Sequence, residues 1–226
     1  MPEGKISKMT NTVSQEVSEK INQLKYTDFD TDYKKKDHNV SDKMTIDWKN
    51  VLPKPQSNTS KETSKELRYL SQLTNNLSPQ QIDLINLVDT EPLDLFTPIL
   101  RKNGLSLDKS VFNKIWSMTE PIVMSLKDKY DRPRPYQIAD LFGLKIKVTE
   151  SNTHHTPAYP SGHTAYAAMA ALYLDELYPD LADQFFHQVG MAGYARILQG
   201  VHYPSDNRAS MVITGAIWED IRPFFI

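Results

Sequence analysis

The second half of this chain carries three short groups of residues whose side chains could bind an oxyanion and act on it. In chain order the groups are Lys127 with Arg134, Ser161-Gly162-His163, and Arg196 with His202 and Asp206. Together they supply permanent cations, a hydroxyl, two imidazoles and a carboxylate. Cations hold charged oxygens through short hydrogen bonds, and an imidazole can attack or transfer a proton. The pattern therefore predicts a site for a tetrahedral oxyanion such as phosphate.

The second group is typical of a helix start that binds an anion. Pro160 precedes Ser161, which is placed to cap a helix, and Gly162 and His163 then form the first turn. Free N–H groups and the positive end of the helix dipole attract an anion there. Glycine also leaves room for an oxygen to approach the backbone. Taken alone, these residues could be a plain serine cap with an exposed histidine, and the other two groups favour the anion site.

The first group pairs a lysine and an arginine separated by six residues. Lys127 lies near the end of a predicted helix, where a cation is favourable in any case. Arg134 stands between two prolines, and its guanidinium can bind two phosphate oxygens at once. Lys129 and Arg132 lie in the same run, but the spacing selects Lys127 with Arg134. We expect Lys129 to be solvated.

The third group predicts a histidine held in one orientation. Arg196 lies near the end of another predicted helix, which Gly200 would terminate. His202 follows in the connection, and Asp206 falls in the first turn of the last helix, four residues on. Its carboxylate can accept the Nδ1 proton of His202, which leaves Nε2 free to attack.

These residues resemble the signature of the type 2 phosphatidic acid phosphatase (PAP2) and vanadium haloperoxidase superfamily, whose soluble branch includes class A non-specific acid phosphatases. The resemblance covers about residues 125–210. It implies an all-α compact helical bundle and metal-independent hydrolysis of phosphate monoesters, with His202 forming a phosphohistidine and His163 protonating the leaving alcohol. It assigns phosphate binding to Lys127, Arg134, Ser161, Gly162 and Arg196. One departure is Ala195, where the family usually has serine.

Two other functions stay open from the sequence. In a vanadate-dependent haloperoxidase, the same pocket would hold vanadate on His202 as a cofactor, whereas the phosphatase needs none. Bromoperoxidase-like members carry a further histidine seven residues before His163, where this chain has Thr156, with His155 one position off. The third function is phosphate binding without catalysis, but both histidines and their carboxylate are present.

Composition excludes several classes of protein. The chain has 226 residues, a formal net charge of −2 and no cysteine, so nothing indicates nucleic-acid binding, a disulfide or a thiolate metal site. The six histidines show no paired metal-ligand spacing. The sequence as printed shows no secretory leader and no apolar run of about 18 residues. We therefore expect a soluble, cytoplasmic protein without a membrane span that acts on a small phosphorylated substrate; a homo-oligomer stays open.

The elements that must position these groups are predicted to be helical. Residues 1–60 are polar and are expected to form an N-terminal arm, with one amphipathic helix over 13–24, while residues 61–226 are expected to form the catalytic domain. In that domain, apolar spacing and capping residues predict helices over 62–76, from 79, over 106–130 with a break or bend at Pro121, and over 161–178, 181–199 and 204–218. The run 144–148 is the one stretch that could be a short strand.

Small residues on the helices predicted over 161–178 and 181–199 indicate that these helices pack closely. A glycine inside a helix costs about 1 kcal/mol relative to alanine, so a close approach of backbones is the expected compensation. Such packing would also bring the ends of both helices to one pocket.

Charged and titratable residues outside the three groups are expected to be structural or solvated. His38 and His187 belong to this set, and the run 34–36 of three lysines is expected to form a solvated turn. His154 and His155 precede the second group and are expected to be loop residues near the pocket mouth.

Overall fold

The computed structural model describes residues 14–30, 32–151 and 153–226, most of which are helical. The α-helices, labelled α1 to α10 in chain order, are 14–23, Trp48–Val51, Lys61–Leu73, Pro79–Thr90, Thr97–Lys102, Lys109–Tyr130, Pro135–Ile138, Gly162–Leu177, Ala182–Leu198 and Pro204–Ile221. Short 3-10 turns occupy parts of several connections. No β-strand occurs in the described residues, and the predicted all-α fold is confirmed.

The core forms where α8 packs against α6, α9 and α10. The buried small residues of α8 are Ala165, Ala167, Ala168, Ala170 and Ala171. On α9, a Cβ added to Gly193 would lie 2.9 Å from Asn207 Nδ2 of α10. Asn207 donates to Gly193 O at 2.8 Å and accepts from Thr164 Oγ1 of α8 at 2.9 Å. Gly193 therefore has a close neighbour, but this neighbour is the side chain of Asn207 on α10 and not the backbone of α8 that the prediction named, and a Cβ at Gly190 would meet open space.

The ends of these helices have local reasons in the sequence, and these ends bring the motif residues together. Asp131 follows α6 with a left-handed φ of 49°, which turns the chain out of the helix. Ser161 caps α8 by accepting a hydrogen bond from Thr164 N. Gly200 has a φ of 80° and follows the end of α9, as predicted. Pro204 is the first residue of α10, where its missing N–H costs nothing.

The polar arm is held against the C-terminal end of α6. Asp131 forms an ion pair with Lys35 Nζ at 2.8 Å. Asp128 accepts a hydrogen bond from Tyr33 OH at 2.5 Å and lies 2.9 Å from His38 Nε2. His38 is structural, in line with the prediction. The prediction that the lysine run is a solvated turn holds only in part for Lys35. Its side chain is 47% exposed to solvent, but it also forms the ion pair with Asp131.

Several predicted helices differ at their ends from those observed; α3 ends at Leu73 and not at 76, and α10 continues to Ile221 beyond 218. The structure has α1 over 14–23 where 13–24 was predicted, and Val13 lies outside the described residues. Helix α6 begins after Asp108, whose carboxylate accepts from Ser110 N at 2.8 Å, and not at residue 106. It then continues through Pro121 as one helix, so the chain is not broken there.

The stretch 144–148 is not a strand. It runs beside α3, where Ser71 Oγ donates to Lys145 O at 2.8 Å and Lys147 N donates to Thr74 Oγ1 at 3.1 Å. Helix side chains thus satisfy backbone groups that a neighbouring strand would otherwise bind. Among the described residues, no helix combines the length and the apolar character needed to cross a bilayer.

Candidate active site

A cavity of about 440 Å³ lies between α6, α8 and the connection from α9 to α10. The predicted site residues that line it are Lys127, Arg134, Gly162, His163 and His202. Three more predicted residues, Ser161, Arg196 and Asp206, are fully buried and do not line it. The three motif groups therefore meet in space. In the sequence, 26 residues separate the first group from the second, and 32 separate the second from the third.

His202 is held by contacts at both ring nitrogens. Its Nδ1 lies 3.1 Å from Asp206 Oδ2, and its Nε2 lies 2.8 Å from Arg134 Nη1. Because a guanidinium can only donate, Nε2 is assigned the lone pair and Nδ1 the proton. Burial, followed by the charge of Arg134, lowers the pKa of His202 well below its ordinary value. The ring is a neutral, oriented base whose Nε2 can act as a nucleophile.

His163 lies in the first turn of α8, near several cations. Burial and then the charge of Arg196 lower the pKa of His163 to about 3, and the carboxylate of Asp89, whose Oδ1 lies 4.0 Å from Nε2, opposes the shift. The ring is therefore neutral near pH 7. A bound phosphate would cancel part of the surrounding positive charge and raise this pKa.

Lys127 and Arg134 are buried cations that donate hydrogen bonds to backbone carbonyls. Lys127 Nζ donates to Pro157 O at 2.6 Å. Arg134 Nε donates to Thr156 O and its Nη1 donates to Val201 O, both at 2.8 Å. Burial is the main cause that lowers the pKa of each group. An anion in the cavity would supply the negative charge that these carbonyl oxygens lack.

Ser161 and Gly162 shape the start of α8 in different ways. Ser161 Oγ accepts from Thr164 Oγ1 at 2.9 Å and lies outside the cavity lining, so its hydroxyl acts as a helix cap in this structure. A Cβ on Gly162 would lie 3.9 Å from Lys127 Cε, which is an ordinary contact. The space that this glycine leaves open is therefore on the cavity side. The N–H groups of Gly162 and His163 are not used inside the helix and are available to an anion.

Arg196 is positioned by Asp89, a carboxylate that the sequence analysis missed. Arg196 Nη1 lies 2.6 Å from Asp89 Oδ1, and its Nη2 donates to Thr153 Oγ1 at 3.2 Å. Asp89 also accepts from Ser151 Oγ and Thr153 Oγ1, both at 2.7 Å. Burial lowers the pKa of Arg196 to about 10, with Asp89 opposing, so Arg196 stays charged near neutrality. Asp89 belongs to none of the three groups. The one local signal in the sequence is a carboxylate near the C-terminal end of α4, where a negative charge is unfavourable to the helix dipole.

Arg132, which the spacing argument set aside, is buried on the far side of Asp206 from His202. Its Nη1 donates to Asp206 Oδ1 at 2.5 Å, and its Nη2 lies 3.6 Å from Glu66 Oε2. Its guanidinium carbon lies 3.8 Å from the centroid of the Tyr203 ring. Lys129 is exposed, as expected, and donates to a backbone carbonyl of the arm. Neither cation lines the cavity, so Lys127 and Arg134 are the pair of this run that reaches it.

The other predicted loop histidines lie outside the cavity lining. His154 and His155 stack with ring centroids 4.6 Å apart, and His155 lines a neighbouring cavity formed with the arm. Thr156 lines both cavities, and its Oγ1 accepts from Arg134 Nη2 at 3.2 Å. His187 is exposed. No histidine therefore replaces the one expected seven residues before His163 in a bromoperoxidase-like site.

Comparison with known proteins agrees with this geometry. Residues 115–219 match the model of the PAP2 superfamily. That region contains every predicted site residue from Lys127 to Asp206, whereas Asp89 and Glu66 lie before it.

Acid phosphatases are among the proteins that this chain resembles in sequence. The non-specific acid phosphatase of Providencia stuartii is 31% identical over 121 residues, which are 53% of this chain and 48% of that protein. The non-specific acid phosphatase of Salmonella typhimurium is 27% identical over 131 residues, which are 54% of this chain and 50% of that protein. The chain thus spans about half the length of the curated relatives it matches.

Two solved structures share the fold. A bacterial vanadium-dependent iodoperoxidase has a TM-score of 0.60 at 16% identity, covering 80% of this chain and 54% of that chain. A bacterial vanadium-dependent chloroperoxidase has a TM-score of 0.54 at 11% identity, covering 76% and 51%. At these identities the likeness establishes the helical PAP2/haloperoxidase fold and no more.

The arrangement is suited chemically to an oxyanion. Within the residues that the structure describes, no three side chains of histidine, aspartate or glutamate come together as a metal-binding group. Fixed cations and helix N–H groups face the cavity in their place. Vanadate, which resembles phosphate in charge and shape, would meet the same groups, with His202 Nε2 as the nitrogen ligand.

Proposed function

We propose that this chain hydrolyses phosphate monoesters without a metal ion, through a phosphohistidine on His202. The observation that carries the proposal is the contact of His202 Nδ1 with buried Asp206, 3.1 Å away, in a ring that lines the cavity. This is the orientation that a histidine nucleophile needs, because the carboxylate fixes the tautomer and stabilises the charge that develops on attack.

Binding of the phosphate is assigned to the cations around the cavity. Lys127, Arg134 and Arg196 would neutralise its charge, and the N–H groups of Gly162 and His163 would bind its oxygens. Ser161 would act by fixing the helix start, since its hydroxyl is used as a cap. Fixed donors aimed at charge that builds up in the transition state are usually the largest contribution in reactions of this kind.

The reaction has two displacement steps. In the first, the lone pair of His202 Nε2 attacks phosphorus, the P–O bond to the alcohol breaks, and His163 gives its proton to the departing oxygen. In the second, neutral His163 takes a proton from water, the resulting hydroxide attacks phosphorus, and the N–P bond breaks to release phosphate and regenerate His202. Positioned proton transfer of this type is worth about 10²–10⁴-fold in rate.

The test compares two histidines that differ in location. Phenyl phosphate hydrolysis is measured with EDTA present for wild type, His202→Ala and His187→Ala. His187 is the control because it is exposed on α9 and does not line the cavity. We expect wild type and His187→Ala to turn over equally and His202→Ala to be inactive. Activity that EDTA abolishes and a divalent ion restores would refute the metal-free mechanism, and turnover by His202→Ala would refute the nucleophile.

Orthovanadate provides a second check on the same pocket. It should inhibit hydrolysis in competition with substrate, because it can adopt the trigonal-bipyramidal geometry of the transition state with His202 as ligand. Protein loaded with vanadate should not oxidise halide with hydrogen peroxide. Rapid halide oxidation with no phosphate release would instead favour the haloperoxidase function.

A further inference from the structure

One wall of the cavity is apolar, in contrast to the cationic end that would hold phosphate. Trp116 and Val123 of α6 and Tyr166 of α8 line this wall together with Pro92 and Met124. Lys127 follows Val123 by about one helical turn on α6, so the apolar wall continues directly from the phosphate end. A phosphate bound at the cations would therefore direct its ester group along this wall.

The two aromatic rings of the wall are held in place before any ligand binds. The rings of Trp116 and Tyr166 meet edge to face, with centroids 4.9 Å apart and an interplanar angle of 79°. Fully buried Phe112 supports Tyr166 from behind, with centroids 4.7 Å apart. Rings fixed in this way offer apolar area to a ligand at little cost in side-chain entropy.

The apolar wall also carries a negatively charged side chain. Glu120, one helical turn beyond Trp116, lines the cavity with an exposed side chain. An ester group that carried its own carboxylate or a second phosphate would face this like charge as it bound. The wall therefore favours an ester group that is apolar and uncharged.

We propose that the substrates are phosphate monoesters of uncharged alcohols with a flat apolar face, such as aryl and arylalkyl alcohols, which rest on Trp116 and Tyr166. This proposal depends on the proposed phosphatase function and names its substrate class. Burying one ring face against the wall removes apolar area from water, and at 25 cal/mol per Å² this gives roughly tenfold or more in kcat/KM.

The test uses two alkyl esters with similarly poor leaving groups, so that leaving-group chemistry does not favour either. Wild type should hydrolyse 2-phenylethyl phosphate with a kcat/KM about tenfold above that of 2-hydroxyethyl phosphate. Trp116→Leu, which keeps apolar packing but removes the flat ring, should lose most of this preference, measured as the ratio of the two kcat/KM values. Tyr69→Ala, an exposed aromatic outside the cavity, is the matched control and should keep the preference.

Inhibition by phosphonates tests the same wall without any variant. Phenylphosphonate should inhibit the wild type about tenfold more tightly than methylphosphonate. Equal hydrolysis of both esters with equal inhibition would overturn this proposal and leave the phosphatase function intact. If the protein hydrolysed none of the three esters, phenyl phosphate included, the phosphatase function itself would be refuted.

A separate observation concerns the buried charges behind His202. Asp206 is shared between His202 and Arg132, whose Nη1 lies 2.5 Å from Asp206 Oδ1. Tyr203 N donates to Asp206 Oδ2 at 2.9 Å, and Glu66 of α3 approaches Arg132 from the other side. Burial raises the pKa of Asp206, and Arg132 opposes that shift while Glu66 adds to it. The charged and titratable groups that act on Asp206 are Arg132, Glu66, Tyr203, Tyr159, His202, Lys127 and Arg134.

We infer that Arg132 is a positioning residue that keeps Asp206 ionised, so that Asp206 can hold the Nδ1 proton of His202. Without this cation, a buried carboxylate would bind a proton more readily and would no longer accept from His202. Glu66 acts in the opposite direction because its negative charge favours protonation of Asp206. Arg132 and Glu66 therefore set the lower pH limit of activity without touching the substrate.

The pH profile of kcat/KM tests this role, which a purely structural residue would not move. Activity falls as the pH drops through the pKa of Asp206, so Arg132→Gln should move this acid limb to higher pH by at least one unit. Arg132→Lys keeps the positive charge and should bring the limb most of the way back to the wild-type pH. Glu66→Gln should move the limb to lower pH. Arg208→Gln is the matched control, because exposed Arg208 also contacts Glu66, at 3.3 Å. An unchanged acid limb in folded Arg132→Gln, or a shift in the same direction for Glu66→Gln, would overturn the inference.

Discussion

At the scale of single residues, Asp89 lies between His163 and Arg196, a cation to which we assign phosphate binding. Asp89→Asn would keep the hydrogen-bonding shape but remove the charge that pairs with Arg196 at 2.6 Å. A charge-assisted contact of this kind is worth about 1.5–3 kcal/mol, so we expect kcat/KM for phenyl phosphate to fall about 10–100-fold. Asp83→Asn on the same helix α4 is exposed and should be neutral. Equal activity of both variants would show that Arg196 needs no carboxylate.

The acid role of His163 predicts a difference between two pH profiles. Activity should fall as the pH rises through the pKa of His163, because the group must be protonated to serve as acid. In the free protein this pKa is lowered to about 3. Bound phosphate should raise it, so the falling limb of kcat should lie at higher pH than that of kcat/KM, after correction for ionisation of the substrate. His163→Asn should lose this limb. Identical limbs in both profiles would contradict the role.

The sequence predicted the polar motif residues that line the cavity, and Asp206 behind His202, but not the carboxylates Asp89 and Glu66. Lys127, Arg134 and His202 stand at fixed spacing within short groups, so their types and intervals are visible in one chain. Asp89 and Glu66 are single carboxylates on helices far from these groups in the sequence. Their contacts depend on how α3 and α4 pack against the motif helices, and no local pattern records that packing.

At the scale of elements, the close contact of α9 with α10 gives a matched pair of glycines on one helix. Gly193→Ala would place a Cβ 2.9 Å from Asn207 Nδ2 and push away the side chain that joins α8, α9 and α10. We expect a loss of about 1–3 kcal/mol in the free energy of unfolding. Gly190→Ala meets open space and should gain up to about 1 kcal/mol. Urea unfolding measures both, and equal effects would exclude close packing as the reason for Gly193.

Helices were predictable where their ends carry chemical signals. The capping box of α4 is present as the sequence indicated, with Ser78 N donating to Gln81 Oε1 at 2.9 Å. The stretch 144–148 was wrong as a strand, because strand-like alternation over five residues does not reveal whether a partner strand exists. The arm contacts at Asp128 and Asp131 were also not predicted, since a polar segment gives no periodic sign of where it binds.

At the scale of the whole molecule, the buried histidines make stability depend on pH. For His163, the pKa is about 3 in the folded state and about 6.5 when unfolded. Only the unfolded chain gains the proton between these values, so the free energy of unfolding should fall as the pH drops from 6.5 towards 3. His202 acts in the same direction, and Asp206, whose pKa is raised by burial, acts in the opposite one.

Thermal unfolding of wild type and His163→Asn across this pH range isolates the contribution of His163. The variant should lose less stability than wild type as the pH falls, and saturating phosphate should reduce the wild-type loss because the bound anion raises the pKa of His163. Parallel curves for the two proteins would mean that His163 is not a buried neutral group in solution.

The most direct measurement of the central claim is isolation of the phosphorylated enzyme. Wild type, His202→Ala, His163→Ala and His187→Ala are mixed with a ³²P-labelled aryl phosphate, quenched in base and separated, and the labelled peptide is identified. We predict a base-stable, acid-labile phosphate on the peptide that contains His202 in wild type and His187→Ala, more of it in His163→Ala because the water step lacks its base, and none in His202→Ala. Labelling of His202→Ala at the wild-type level, or a label on His163 in place of His202, would contradict the account.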